Sequence, residues 1–151
     1  MTNRILAVAC ILAGATGCRQ QTADTRTRAE LDSALIHYDS LVRRMAVDSI
    51  AATYTPDGEM LGTNAGTVTG PDSIRKFLGQ FSQFRVDTQE MRVAAVELFD
   101  AEAVQWGTWK QATTVPAQGM VHVQGRFVAH WVRGTDGRWR LRRLLTQPTP
   151  P

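Results

Sequence analysis

The second half of the chain constrains the fold most strongly. After Phe84, residues 86–99, 102–115, 119–133 and 138–147 form four long runs rich in Val, Thr, Trp and Phe. Runs of this composition read as β-strands. Short breaks at Asp100-Ala101, Pro116–Gly119 and Gly134–Gly137 separate them, and the Asp136-Gly137 pair suits a tight hairpin turn. A meander of long antiparallel strands is expected.

The first half carries the helical period. Leu31, Ala34, Leu35, Tyr38, Leu41, Val42 and Met45 recur at spacings of three and four, with His37 on the flank of that stripe. A second short helix is expected over about 48–54, with Asp48 as N-cap and Ile50, Ala51 and Tyr54 facing in. Thr55-Pro56-Asp57-Gly58 reads as the turn that ends it. A hairpin-like piece follows, bending at Asn64-Ala65-Gly66. A third helix starts after Gly70, with Pro71 at its first position, Asp72 at its positive end, and a stripe of Ile74, Phe77, Leu78 and Phe81. Helices first and a strand meander after give an α+β fold. Such a sheet can curl around the helices and enclose a pocket.

Residues 1–18, MTNRILAVACILAGATGC, obey another logic. Arg4 precedes an apolar run from Ile5 to Ala13, and small residues lead to Cys18. This is a secretory layout, too short for a transmembrane helix of ~20 residues. Cleavage before a Cys resembles the bacterial lipoprotein signal. The resemblance implies a signal peptide over 1–17, lipidation of Cys18, and a lipid anchor in the bacterial cell envelope facing the periplasm. Arg19, where retained lipoproteins often carry Asp, favours the outer membrane over the inner. Ala15 departs from the Leu the family prefers, so an ordinary cleaved signal is the alternative. With Cys10 removed and Cys18 acylated, no thiol is left for catalysis or metal binding. Residues 19–28 are polar without apolar period and read as a flexible tether, which leaves residues 29–147 as the domain and 148–151 as a Pro-rich tail.

Hydrophobic residues make up 43% and charged residues 21%, which excludes a disordered chain. The formal charge of +3 is too small to indicate a nucleic-acid partner. Arg126, Arg133, Arg138, Arg140, Arg142 and Arg143 cluster late, as a solvated sheet face or as a patch for anionic lipid or an acidic ligand.

The segments IAATYTPDGEM, TGPDSIRKFL and GRFVAHWVRGTDGRWRL, in this order, resemble the nuclear-transport-factor-2-like superfamily. The SnoaL-like and ketosteroid-isomerase-like branches are the most similar. The resemblance covers about residues 30–147 and implies a cone-shaped, cystatin-like roll, a curved antiparallel sheet with three N-terminal helices closing an apolar cavity. Its members include isomerases, cyclases, dehydratases, hydrolases and non-enzymatic binders, so fold alone does not give function. Carried over residue by residue, Tyr38 falls on the isomerase oxyanion tyrosine. Gly62 falls on the position of the base and Ala129 on that of the second oxyanion donor. A glycine cannot abstract a proton, which argues against isomerase chemistry.

The three histidines, His37, His122 and His130, lack metal-ligand spacing, and neither a metal nor a cofactor is expected. His122, Arg126 and His130 share one strand face, while Val123, Gly125, Phe127, Ala129 and Trp131 share the other. If Ala129 faces the cavity, the histidines face away. Asp57 reads as a turn residue. Trp106 and Trp109, three apart, belong on opposite faces. The leading reading is a binder of a small, mostly apolar molecule, with Tyr38, Tyr54, Phe127 and Trp131 lining the cavity and Tyr38 giving the polar contact. An isomerase, cyclase or hydrolase with a relocated acid–base group at Tyr38, His37, Glu97 or His122 is one alternative. A homodimerisation or interaction module using the sheet face is the other.

Overall fold

The computed structural model describes residues 15–62 and 66–150, with side chains from residue 23 onward. Positions 1–14 of the expected signal segment, the Cys18 side chain and the expected bend at Asn64-Ala65 lie outside that description. The elements run α1 (Ala15–Arg43), α2 (Val47–Ala52), β1 (Tyr54–Gly62), β2 (Gly66–Thr69), α3 (Pro71–Gly79), β3 (Arg85–Leu98), β4 (Glu102–Val115), β5 (Gly119–Arg133) and β6 (Trp139–Pro148). The fold is α+β as expected, and the four long strands lie within a residue of their predicted ends.

One curved sheet holds all six strands in the order β2-β1-β6-β5-β4-β3. Neighbours are antiparallel except β1 and β6. The helices cover its concave face, where Leu31, Leu35, Tyr38 and Leu41 of α1 pack with Phe127, Ala129 and Trp131 of β5 and Leu141 and Leu144 of β6. Ile50 of α2 and Ile74 of α3 complete this core.

Three local readings are corrected. Residues 19–28 are helical rather than a tether. No Gly or Pro interrupts 18–43, Arg26 pairs with Glu30 one turn on at 3.1 Å, and a helix already nucleated by its docked part extends cheaply. Asp48 does not cap α2: Ala46 holds that position, because the chain turns in through Met45 at a φ of 48°. Asp48 instead pairs with Arg75 of α3 at 2.6 Å. Thr55–Gly58 is no turn between elements but an irregular start to β1, where pairing with β6 shifts register between Tyr54 and Glu59. Tyr54 therefore opens a strand instead of ending a helix, although it is buried as expected.

A polar chain crosses the core. Trp131 Nε1 donates to Gln105 Oε1 at 2.9 Å, and Gln105 Nε2 donates to Asp32 Oδ1 at 3.3 Å. Gln105 is fully buried, so its amide needs both partners. Trp131→Phe should cost about 2–4 kcal/mol, from lost volume and an orphaned amide oxygen. Adding Gln105→Leu should recover part of that loss, and denaturant unfolding of the two single variants and the double variant checks it.

Candidate functional site

The concave face leaves two adjoining spaces. The inner one, about 130 Å³, is bounded by Tyr38 and Val42 of α1, Gln89 and Met91 of β3, Trp109 and Gln111 of β4, and Leu144 and Thr146 of β6. The outer one, about 370 Å³, shares Val42 and Gln111 with it and is otherwise nearly all apolar, with Met45, Leu78, Phe81, Phe84, Val121 and Val123. Phe77, Phe81 and Phe84 stack edge to face at 5.3 and 5.4 Å between centroids, which gives the outer space a stiff aromatic side.

Alternation along the strands puts these side chains here. Trp109 faces in and Trp106 faces out, as their spacing requires. The Trp109 ring crosses β5 at Gly125 and donates from Nε1 to the Arg126 carbonyl at 3.2 Å. A Cβ at Gly125 would sit 2.1 Å from the Gln147 carbonyl oxygen of β6 and 2.8 Å from that nitrogen, so glycine makes room for the neighbouring strand and the indole together.

Two tyrosines mark the polar side. The Tyr38 and Tyr54 hydroxyls are 3.3 Å apart and both residues are buried. Burial pushes the Tyr38 hydroxyl up to about 12, against the lowering effect of its hydrogen bond with Tyr54. Burial, with Tyr38 adding to it, also pushes the Tyr54 hydroxyl up. Both stay protonated at any ordinary pH. Beside them, Asp39 Oδ2 accepts the Met91 backbone N–H at 2.9 Å, and Asp39 Oδ1 accepts from Gln89 Nε2 at 3.3 Å. Burial raises the Asp39 carboxyl above its usual range, more than those two hydrogen bonds lower it; the charge of Glu90 also raises it and Arg43 lowers it.

Of the predicted lining residues, only Tyr38 borders these spaces. Tyr54, Phe127 and Trp131 are packed into the surrounding core. Gly62 ends β1 opposite Gly66, and Ala129 is fully buried among core side chains. The relocated acid–base candidates are not brought together. His37 is exposed beside a shallow cleft with Trp139 and Arg140, Glu97 is exposed on edge strand β3, and His122 is exposed on the outer sheet face. An unbroken β4–β5 register keeps His122, Arg126 and His130 on one face, away from Ala129. His130 Nε2 lies 2.8 Å from Glu102 Oε2. In the arginine cluster, Arg133, Arg140, Arg142 and Arg143 pair with Glu30, Asp136, Asp57 and Glu59. Among the described residues no group of His, Cys, Asp and Glu is placed to hold a metal, and no helix is long and apolar enough to cross a membrane.

Sequence reasoning missed Asp39, Gln89 and Gln111. Asp39 follows Tyr38 on the helix, and period-two alternation puts Gln89 on the same face as Met91. That was the available signal.

A six-stranded curved sheet covered by N-terminal helices, with a cavity between, defines a class of small cone-shaped domains. The chain belongs to the SnoaL-like domain family, whose model matches residues 23–144. Similar solved structures include a ketosteroid isomerase-like protein from Erwinia carotovora atroseptica, at 20% identity and a TM-score of 0.73, covering 82% of this chain and 96% of that one. A nuclear-transport-factor-2-like protein with a cystatin-like fold from Novosphingobium aromaticivorans is 14% identical with a TM-score of 0.70, covering 89% and 90%. A protein from Catenulispora acidiphila in complex with S-DNPA is 18% identical with a TM-score of 0.72, covering 82% and 94%. At these identities the likeness is one of fold. No curated protein matches the chain.

The raised Asp39 carboxyl has a measurable sign. Between its unfolded value, near 3.8, and its higher folded value, the native state binds more protons than the unfolded one. Stability contributed by this group is therefore greatest below that window and is lost as pH rises through it. The difference in unfolding free energy, wild type minus Asp39→Asn, should fall across the window and flatten above it. Urea titrations at a series of pH values check this.

Proposed function

We propose that this domain binds a small, mostly apolar molecule, with its apolar body in the outer space and a polar end reaching the inner one. The observation that carries this reading is an apolar cavity of about 370 Å³ beside a smaller, polar-edged one, the two sharing Val42 and Gln111 as walls. A site of this kind, apolar with a few converging polar groups, is the usual form of a small-molecule pocket. A protein of similar fold from Catenulispora acidiphila is in complex with S-DNPA. Native mass spectrometry of the gently purified protein should show an added mass that disappears on denaturation. Val42→Trp, at the junction of the two spaces, should remove that mass or weaken binding roughly tenfold or more, equivalent to about 1.4 kcal/mol. Retention of full affinity in a folded Val42→Trp protein would overturn the reading.

We further propose that Cys18 carries a lipid anchor in the bacterial envelope, facing the periplasm. The small-residue run before Cys18 supports it. Cys18→Ser should move the protein from the membrane to the soluble periplasmic fraction; membrane retention without Cys18 would refute the anchor.

The outer sheet face favours a second, compatible role as a homodimer surface. Exposed Val128 and Leu145 flank Trp106 there. Leu145→Glu should convert a dimer to a monomer in light scattering, and a wild-type monomer at high concentration would remove this role.

A further inference from the structure

The polar end of the cavity is set by one amide with a fixed orientation. Met91 N–H occupies Asp39 Oδ2, and Gln89 Nε2 donates to Asp39 Oδ1. An ionised carboxylate offers only acceptors. Gln89 must therefore turn its NH₂ group to Asp39 and its carbonyl the other way. That carbonyl, Gln89 Oε1, is buried and has no hydrogen-bond partner among the described residues. Gln89 also bounds the inner space, and its carbonyl lies just beneath that lining, closed to water, so a ligand donor meets it by a small shift of the amide. None of the nearby donors reaches it: Gln111 Nε2 donates to Thr113 Oγ1 at 2.6 Å, the Trp109 indole N–H donates to Arg126 O, and the two tyrosine hydroxyls lie against each other. Buried carbonyls left unpaired are costly and uncommon, so this one is a position waiting for a donor.

We propose that Gln89 is the specificity-determining residue of the cavity: its carbonyl, oriented by Asp39, selects an apolar ligand that bears a hydroxyl over the matching ligand that bears a carbonyl. A ligand hydroxyl donates to Gln89 Oε1. A ligand ketone in the same place brings two acceptors together and leaves both unpaired. Asp39 acts here as a positioning residue, since it decides which end of the amide faces the ligand. This inference rests on the cavity-binding reading above and names the chemistry of the ligand's polar end.

The test uses a matched set of bicyclic probes, namely β-tetralol, β-tetralone and the parent hydrocarbon tetralin, titrated calorimetrically into the whole protein. Wild type should bind the alcohol at least about fivefold more tightly than the ketone, the preference a neutral hydrogen bond of ordinary strength produces. Gln89→Leu keeps the volume and removes the carbonyl, so the alcohol and the ketone should bind equally. Asp39→Asn makes the sharper prediction. The new asparagine keeps its carbonyl on Met91 N–H and turns its NH₂ to Gln89. The Gln89 amide then rotates, presents its own NH₂ to the ligand, and the preference should invert in favour of the ketone. A merely structural role for Asp39 would lower both affinities without inverting their order.

Equal binding of alcohol and ketone by the wild type would overturn the proposal while leaving the cavity reading intact. So would a preference that survives Gln89→Leu. An unchanged preference in Asp39→Asn would overturn the orienting role of Asp39. Failure of all three probes, tetralin included, to bind wild type would overturn the cavity reading and this inference with it.

Discussion

One carboxylate holds the long helix to the edge of the sheet. β3 is an edge strand, and an edge carries backbone donors with no neighbouring strand to accept them. Asp39 accepts one of these, the Met91 N–H, and so fixes α1 against β3 at the level of the inner space. The same carboxylate holds the Gln89 amide. Anchoring the helix and presenting a polar group to the cavity are thus one interaction. Burial makes the charge of Asp39 less favourable, and its two hydrogen bonds offset part of that cost.

The meander was legible because its signal is local. Long β-rich runs with short Gly-, Pro- and Asp-containing breaks specify hairpins whatever lies around them. The failures were places where tertiary context overrides local preference. Thr55-Pro56-Asp57-Gly58 has turn composition, yet β6 recruits it as a bulged strand start. Asp48 has the chemistry of a cap, but Arg75 on another helix takes it and the cap falls two residues earlier, at Ala46. The polar stretch 19–28 has no apolar stripe, and pattern reading leaves it outside the fold; it is carried as helix by continuity with the docked part of α1. None of these partners is visible from neighbours in sequence.

The site was less legible than the fold, for a related reason. Tyr38 was found because it lies on an apolar stripe and on a family position. Phe127 and Trp131 were placed on the correct face, but facing inward is not the same as lining a space. They are fully buried against other side chains. What borders the space are residues that stop short of contact, among them Gln89 and Gln111. A cavity is defined by what packing leaves over, and periodicity reports only direction.

Gly62 and Ala129, at the positions that the isomerase resemblance gives to a base and an acid, bring neither group to the interior. The polar groups that remain around the inner space are amides, hydroxyls and an indole, with Asp39 one step behind. Burial holds the Tyr38 and Tyr54 hydroxyls protonated, so neither serves as a base near neutral pH. Groups of this kind distinguish donors from acceptors and keep their state while doing so. Around the inner space this cone holds one oriented amide, that of Gln89, backed by Asp39. The curved sheet, the covering helix and the apolar outer space surround that amide, an apolar setting with a few oriented polar groups.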